Sequence, residues 1–206
     1  MKYKLINGQI IDIVQDQQAE SPDTWGNEDI FLVYDHRQFN IEREGFEPRD
    51  IHQYFEDYHE QIENDTYDAY YCFIVCAYIH GGVLLSLNHN GDRWDTSTTG
   101  YILVQKETNN GDNKKPTIVT QDEAEKYAEG LIEIWNQYLS GNVYGFVLYD
   151  VESFTKTYVN KAMDIESGEE LSEVDSCWGY YAEDEEDALK TIIEDLNVQV
   201  KEEKDR

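Results

Sequence analysis

Tyr70-Tyr71-Cys72-Phe73-Ile74-Val75-Cys76-Ala77-Tyr78-Ile79 is an almost continuous apolar run, rich in Tyr, Ile and Val. Such a run suits a central strand covered on both faces. Gly81-Gly82 turns it into a second strand, Val83 to Leu87, and Tyr101 to Gln105 reads as a third. Downstream of the polar stretch from Lys106 to Pro116 comes the best-marked helix. Thr120 and Glu123 form a T-x-x-E capping box. Ala124, Tyr127, Ala128, Leu131, Trp135, Tyr138 and Leu139 make one apolar stripe, and Gly141 supplies a left-handed stop.

Upstream of the run, Asp50 to Glu63 reads as a helix, with Ile51, Tyr54, Phe55, Tyr58 and Ile62 at helical spacing behind Pro48. Ile30 to Tyr34 is a short buried strand. Tyr3 to Ile6 and Gln9 to Val14 flank Asn7-Gly8, a pair that predicts a hairpin with a type I′ turn. Toward the C-terminal end, Asn142 to Val151 and Thr155 to Asp164 read as strands separated by Glu152-Ser153-Phe154. Ser176 to Tyr181 follows as another strand. A last helix runs from about Glu183 to Asn197 with Ala188, Leu189, Ile192, Ile193 and Leu196 inward, ahead of a frayed tail from Lys201.

Helices and strands are interspersed without βα alternation, so the expected class is α+β, a mixed or mostly antiparallel sheet covered by three helices. One domain spanning 1–206 fits the length, with 1–107 and 117–206 as candidate subdomains joined by the 108–116 loop. The chain has 206 residues, 44 Asp and Glu, 16 Lys and Arg, and a formal net charge of −28. That balance excludes nucleic-acid binding by phosphate neutralisation, which needs a basic footprint. No apolar run approaches the ~18–20 residues of a membrane span. Aromatic residues make up 13% of the chain, which excludes an acidic disordered tail. Cys72, Cys76 and Cys177 are an odd set without a CxxC pair, which reads as buried free thiols in a reducing cytoplasm.

Chemistry-bearing patterns are few. His52, Glu56, His59 and Glu63 fall within a ~60° arc of the predicted helix. A divalent metal on His52, Glu56 and His59 is the minor alternative to a plain solvated face. His36 and His89 could pair with Asp35 or Asp92 as a general base, but no nucleophile elbow, Walker loop, G-x-G-x-x-G or H-E-x-x-H accompanies them. Asn88-His89-Asn90-Gly91-Asp92 lacks the order of a calcium loop and reads as a turn. No cofactor is implied, and the expectation is a protein that is not an enzyme.

The acidity is the informative feature. Glu183-Asp184-Glu185-Glu186-Asp187 opens the last helix, where carboxylates complement the dipole. Acids also crowd the first helix at Glu56, Asp57, Glu60 and Glu63, the central helix, and the stretch from Asp164 to Asp175; residues 163–206 hold 16 acids against 4 bases. Solubility of a small domain asks for a net charge of only about 2–8, and charge beyond that costs stability by self-repulsion. Duplex DNA carries one charge per ~1.7 Å, so a charge of this size matches roughly 14 base pairs. Halophilic adaptation fits less well, because Ile, Tyr and Asn are plentiful and Ala is sparse.

Two segments carry a resemblance. Gly91-Asp92-Arg93-Trp94-Asp95-Thr96-Ser97-Thr98-Thr99-Gly100-Tyr101-Ile102-Leu103-Val104 resembles the W-D-S-G-x-x-G-[FY]-I-Y-V stretch of uncharacterised acidic proteins of bacteriophages and mobile elements. His80-Gly81-Gly82-Val83 precedes it, as in that family. Tyr138 to Phe146 and Asp175-Ser176-Cys177-Trp178-Gly179-Tyr180-Tyr181 are similar to the same family's Y-L-x-G-x-V-Y-G-[FY] and D-S-C-W-G-F-Y motifs. Thr96, Ser97 and Ala182 depart from the pattern. The resemblance implies a phage context and assigns no site residues; Trp94, Asp95, Cys177 and Trp178 read as core and turn residues.

These observations lead to one functional expectation, an acidic DNA mimic that blocks the DNA-binding groove of a host restriction or CRISPR nuclease in the bacterial cytoplasm. The partner-binding residues would be Glu183, Asp184, Glu185, Glu186 and Asp187 with Glu56, Asp57, Glu60 and Glu63. The alternative is a phage replication or regulatory accessory protein that binds another protein, and less favoured is a metal-dependent enzyme.

Overall fold

The computed structural model describes residues 1–36, 39–55, 65–79, 81–87, 96–108, 116–158 and 164–201. In chain order the elements are β1 (Lys2–Lys4), β2 (Ile10–Gln15), a 3-10 turn (Pro22–Trp25), β3 (Ile30–His36), β4 (Phe39–Ile41), α1 (Pro48–Phe55), the single turn α2 (Asp65–Asp68), β5 (Tyr70–Ile79), β6 (Val83–Leu87), β7 (Thr96–Gln105), β8 (Glu107–Thr108), β9 (Thr117–Ile118), α3 (Gln121–Leu139), β10 (Val143–Tyr158), β11 (Asp164–Tyr181) and α4 (Glu185–Asp195). The class is α+β, and every strand pairing among the described residues is antiparallel. The expected single sheet is divided into a four-stranded sheet, a five-stranded sheet and a two-stranded ribbon. The chain forms two compact units, one from Met1–Glu20 with Gly141–Arg206 and one from Ser21–Ser140. The boundary does not fall at the 108–116 loop, because β8 and β9 pair across that stretch and tie both its flanks to the second unit.

In the second unit the sheet order is β4-β3-β7-β5-β6. Tyr70–Ile79 is the strand read from its apolar run, and it lies between β7 and β6. Apolar residues cover both faces. Tyr34, Val75, Ala77 and Ile102 pack against Ala124, Ala128, Ile132 and Trp135 of α3. Phe31, Val33, Tyr101 and Leu103 pack with Ile51 of α1 and Tyr67 of α2. The Thr120–Glu123 capping box is present. The Asn136 amide of α3 accepts from the Leu85 N–H at 2.7 Å and donates to the Leu85 carbonyl at 2.9 Å, so the helix satisfies both backbone groups of Leu85 at the edge strand β6. Tyr127 departs from the predicted stripe. It is 53% exposed, and Ile132 takes the inward position that the stripe omitted. The predicted helix from Asp50 is described only as far as Phe55.

In the first unit the order is β1-β2-β10-β11, with α4 packed on one face. Leu5, Ile11, Ile13, Phe146 and Leu148 meet Ala188, Leu189 and Ile192 of α4. The β1–β2 turn is not type I′. The Gly8 N–H reaches the Leu5 carbonyl at 3.0 Å and the Leu5 N–H reaches Gln9 at 2.8 Å, giving a three-residue loop. Only Gly8 is at positive φ, +94°, and the Asn7 side chain instead accepts from the Gln9 N–H at 3.1 Å. The end of α4 is a Schellman cap. Asn197 at φ +51° donates to Glu194, and Val198 donates to Ile193. Lys201, expected to fray, donates its N–H to Lys4 at 2.7 Å.

The largest difference from the sequence reading is at β10 and β11. The expected strand 142–151 continues without a break through 155–158 as one sixteen-residue strand, residues 159–163 of the second expected strand lie outside the described residues, and Asp164–Tyr181 is a single eighteen-residue partner. Two bulges bend the pair, one at Val174 and one at Gly179, the latter at φ +87°. Between them Trp178 lies over its cross-strand partner Gly145; a Cβ there would stand 2.3 Å from the indole and 2.7 Å from the Cys177 carbonyl. The second unit repeats the device, with the buried Tyr34 ring over Gly100. Both glycines belong to the motif segments, and in each the aromatic ring fills the space that a side chain would take.

Candidate functional site

β2 accompanies β10 only from Tyr144 to Tyr149. Beyond that point β10 and β11 run on alone, paired from Asp150↔Ser172 to Tyr158↔Asp164. Nine residue pairs at ~3.4 Å per residue make a two-stranded arm about 30 Å long. Every described side chain of β11 from Gly168 to Gly179 is exposed. The arm carries Glu152, Glu169 and Glu170, with Glu173 at its base, and among the described residues no cation lies within 4.0 Å of any of the four. Glu152 and Glu170 stand directly opposite each other. A like-charge pair at that position is destabilising, and a two-stranded ribbon is at best marginally stable alone. The sequence between Lys161 and Lys190 contains eleven Asp or Glu and no Lys or Arg.

The five acids that open α4 divide by what they touch. Asp184 is the N-cap and accepts from the Asp187 N–H at 2.9 Å. Asp187 reaches back to accept from the Glu183 N–H at 3.3 Å. Glu185 lies 3.0 Å from the Met1 amino nitrogen, and the same nitrogen is 3.4 Å from Asp12. Glu186 is an exposed i,i+4 partner of Lys190 at 3.8 Å, a pair worth little in water. Glu183 is exposed, and its carbonyl accepts from Asn142 at 2.8 Å, while its carboxylate takes no contact of this kind among the described residues. Asp184, Glu185 and Asp187 therefore hold the helix start together, while Glu183 and Glu186 stay exposed.

The second predicted cluster, Glu56, Asp57, Glu60 and Glu63, lies outside the described residues, as does His59 of the metal alternative. His52 is described, and its Nδ1 is 2.7 Å from the hydroxyl of Tyr101, a residue of the core. Among the described residues no group of three or more His, Cys, Asp and Glu is placed to hold a metal. His36 and Asp35 are neighbours on β3, while His89, Asp92, Trp94 and Asp95 are outside the described residues.

Cys177 and Trp178 are not core residues. Cys177 is exposed and Trp178 is 48% exposed, because β11 is the edge strand of its sheet. Cys76 is buried, as expected. Tyr180, beside Cys177 on the α4 face, has its hydroxyl pushed up to about 12 by burial first and then by Cys177 and the Asp195 carboxylate. Lys2 sits 3.8 Å from Asp12 and over the Tyr149 ring at 5.3 Å on the open face.

Sequence reasoning noticed the acids of 164–175 but missed the arm that displays them. Signals for it were the β-branched and aromatic residues from Thr155 to Val159 and the absence of a Gly or Pro stop at Glu152–Phe154. No helix among the described residues is long and apolar enough to cross a membrane. No family model matches the chain, and neither a curated protein nor a solved structure matches it.

Proposed function

We propose that this protein is a non-enzymatic, phage-encoded anti-defence protein that acts by electrostatic occupation of a basic DNA-binding channel. Its target is a host restriction or CRISPR nuclease, met in the bacterial cytoplasm. The observation that carries the reading is the pairing of the acidic β10–β11 arm with the acidic start of α4 in one unit. Together Glu152, Glu169, Glu170, Glu173, Glu183 and Glu186 are six carboxylates that the fold does not use for its own core. The opposed Glu152 and Glu170 oppose folding, and a partner's Lys and Arg would relieve that repulsion. Each carboxylate gains more in a solvent-poor channel than it holds in water, because the effective dielectric falls there.

Reversal of Glu169, Glu170 and Glu173 to Lys is expected to weaken inhibition of a sensitive nuclease by orders of magnitude and leave thermal stability equal or higher. Equal loss from reversing any three acids elsewhere would mean that net charge acts and no defined site exists. The alternative of an accessory protein that binds another phage protein draws on a different observation: Leu171, Val174 and Trp178 are exposed along β11. Their replacement by Ser, with the acids intact, separates the two readings.

A further inference from the structure

We propose that the second unit holds a binding site for a small aromatic monocarboxylate. A cavity of about 380 Å³ opens between the 3-10 turn, the start of β3, the end of β4 and the outer side of α3. That volume falls in the range of small-molecule sites. Its apolar body includes Leu131 and Ile134, and two exposed aromatics stand at it, Trp25 at 47% and Tyr127 at 53%.

Gly130 lines the same cavity from the middle of α3. Nothing lies within 4 Å of where its Cβ would be, so packing does not demand glycine there. Glycine at an interior helix position is disfavoured against alanine. The missing side chain leaves the cavity deep enough for a ring, and this accounts for a residue that the helix itself disfavours.

The charge is set by Arg43 and Lys126, which both line the cavity. The Arg43 guanidinium is oriented by the Phe31 ring, 3.8 Å from its centroid, and by a 2.9 Å bond from Nη1 to the Asn27 carbonyl. Those contacts leave most of its five N–H groups for a ligand. In a chain with 44 acids and 16 bases, neither Arg43 nor Lys126 lies within 4.0 Å of a carboxylate among the described residues. A planar fork beside an apolar pocket fits one carboxylate with a flat apolar body. Asp23 and Glu42 also reach the cavity, and Glu42 is held by Asn40 at 2.8 Å. Their charge disfavours a second anionic group, so the site selects a monoanion.

The test is calorimetric titration of the full chain with 1-naphthoate, its cationic counterpart 1-naphthylmethylammonium and neutral 1-naphthylmethanol. Naphthoate is expected to saturate one site and to bind about tenfold or more tighter than the cation, against the long-range field of a −28 protein. Arg43→Gln should bring naphthoate down to the neutral compound. Gly130→Leu should abolish binding of all three with an unchanged or raised thermal transition. Shifts of the Trp25 indole N–H signal on adding naphthoate to the unmodified protein give a reading that no variant's folding can confuse. Equal or tighter binding of the cation, no saturable site at millimolar naphthoate, a silent Trp25 signal, or full binding by a folded Gly130→Leu would each overturn the proposal.

Discussion

Glu183 and Asp184 are neighbours in an acidic run, yet only one of them builds the helix. Asp184 caps α4 by accepting the Asp187 N–H, so Asp184→Ala is expected to lower stability by about 1 kcal/mol in urea denaturation. Glu183→Ala should stay within about 0.5 kcal/mol. From the sequence the two are indistinguishable, because capping depends on which residue adopts the extended φ and ψ just before the first turn. The Thr120–Glu123 cap was legible because its two partners have a fixed spacing. Tyr180 offers a second test at this scale. Its hydroxyl ionises near 12 rather than the ordinary 10.0. The folded state's preference for the neutral hydroxyl is fully present below the ordinary value and is lost as pH climbs through about 12. Alkaline denaturation of Tyr180→Phe, which has no proton to lose there, should show a shallower decline than the parent between those values.

Elements were legible where one pattern dominated. β5 and β6 emerged with their observed bounds from an apolar run and a Gly-Gly turn, and α3 from a stripe with caps at both ends. The long β10–β11 arm was obscured for a physical reason. Glu152, Ser153 and the described side chains opposite them are all exposed, so no buried side imposes period-two alternation there, and Glu152-Ser153 reads as an interruption when it is continuous strand. Tyr127 was misplaced for the converse reason, since helical spacing cannot distinguish the edge of a core from the mouth of a cavity. The arm's independence gives a prediction. Replacing residues 151–171 by an Asn-Gly turn that joins Asp150 to Ser172 preserves the register of the sheet. The shortened protein should keep its far-ultraviolet spectrum and a thermal transition close to the parent's, and lose inhibition of the target. A collapse of the fold would show that the arm serves stability.

For the whole molecule, the net charge of −28 acts in opposite directions on folding and on binding. Screening relieves self-repulsion, so added salt should raise the thermal transition of the isolated protein. The same screening should weaken its complex. The fold class could be read from the chain, and so could the excess of acid. Where that acid is displayed could not, because charge placement follows from the pairing of β10 with β11 and not from composition. The most direct test of electrostatic occupation is the affinity for a purified, sensitive restriction or CRISPR nuclease, measured from about 50 mM to about 500 mM salt with and without duplex DNA as competitor. The affinity is expected to fall about tenfold or more across that range, with DNA and the protein excluding each other. An affinity that is flat in salt, or a nuclease that holds DNA and the protein together, would contradict it.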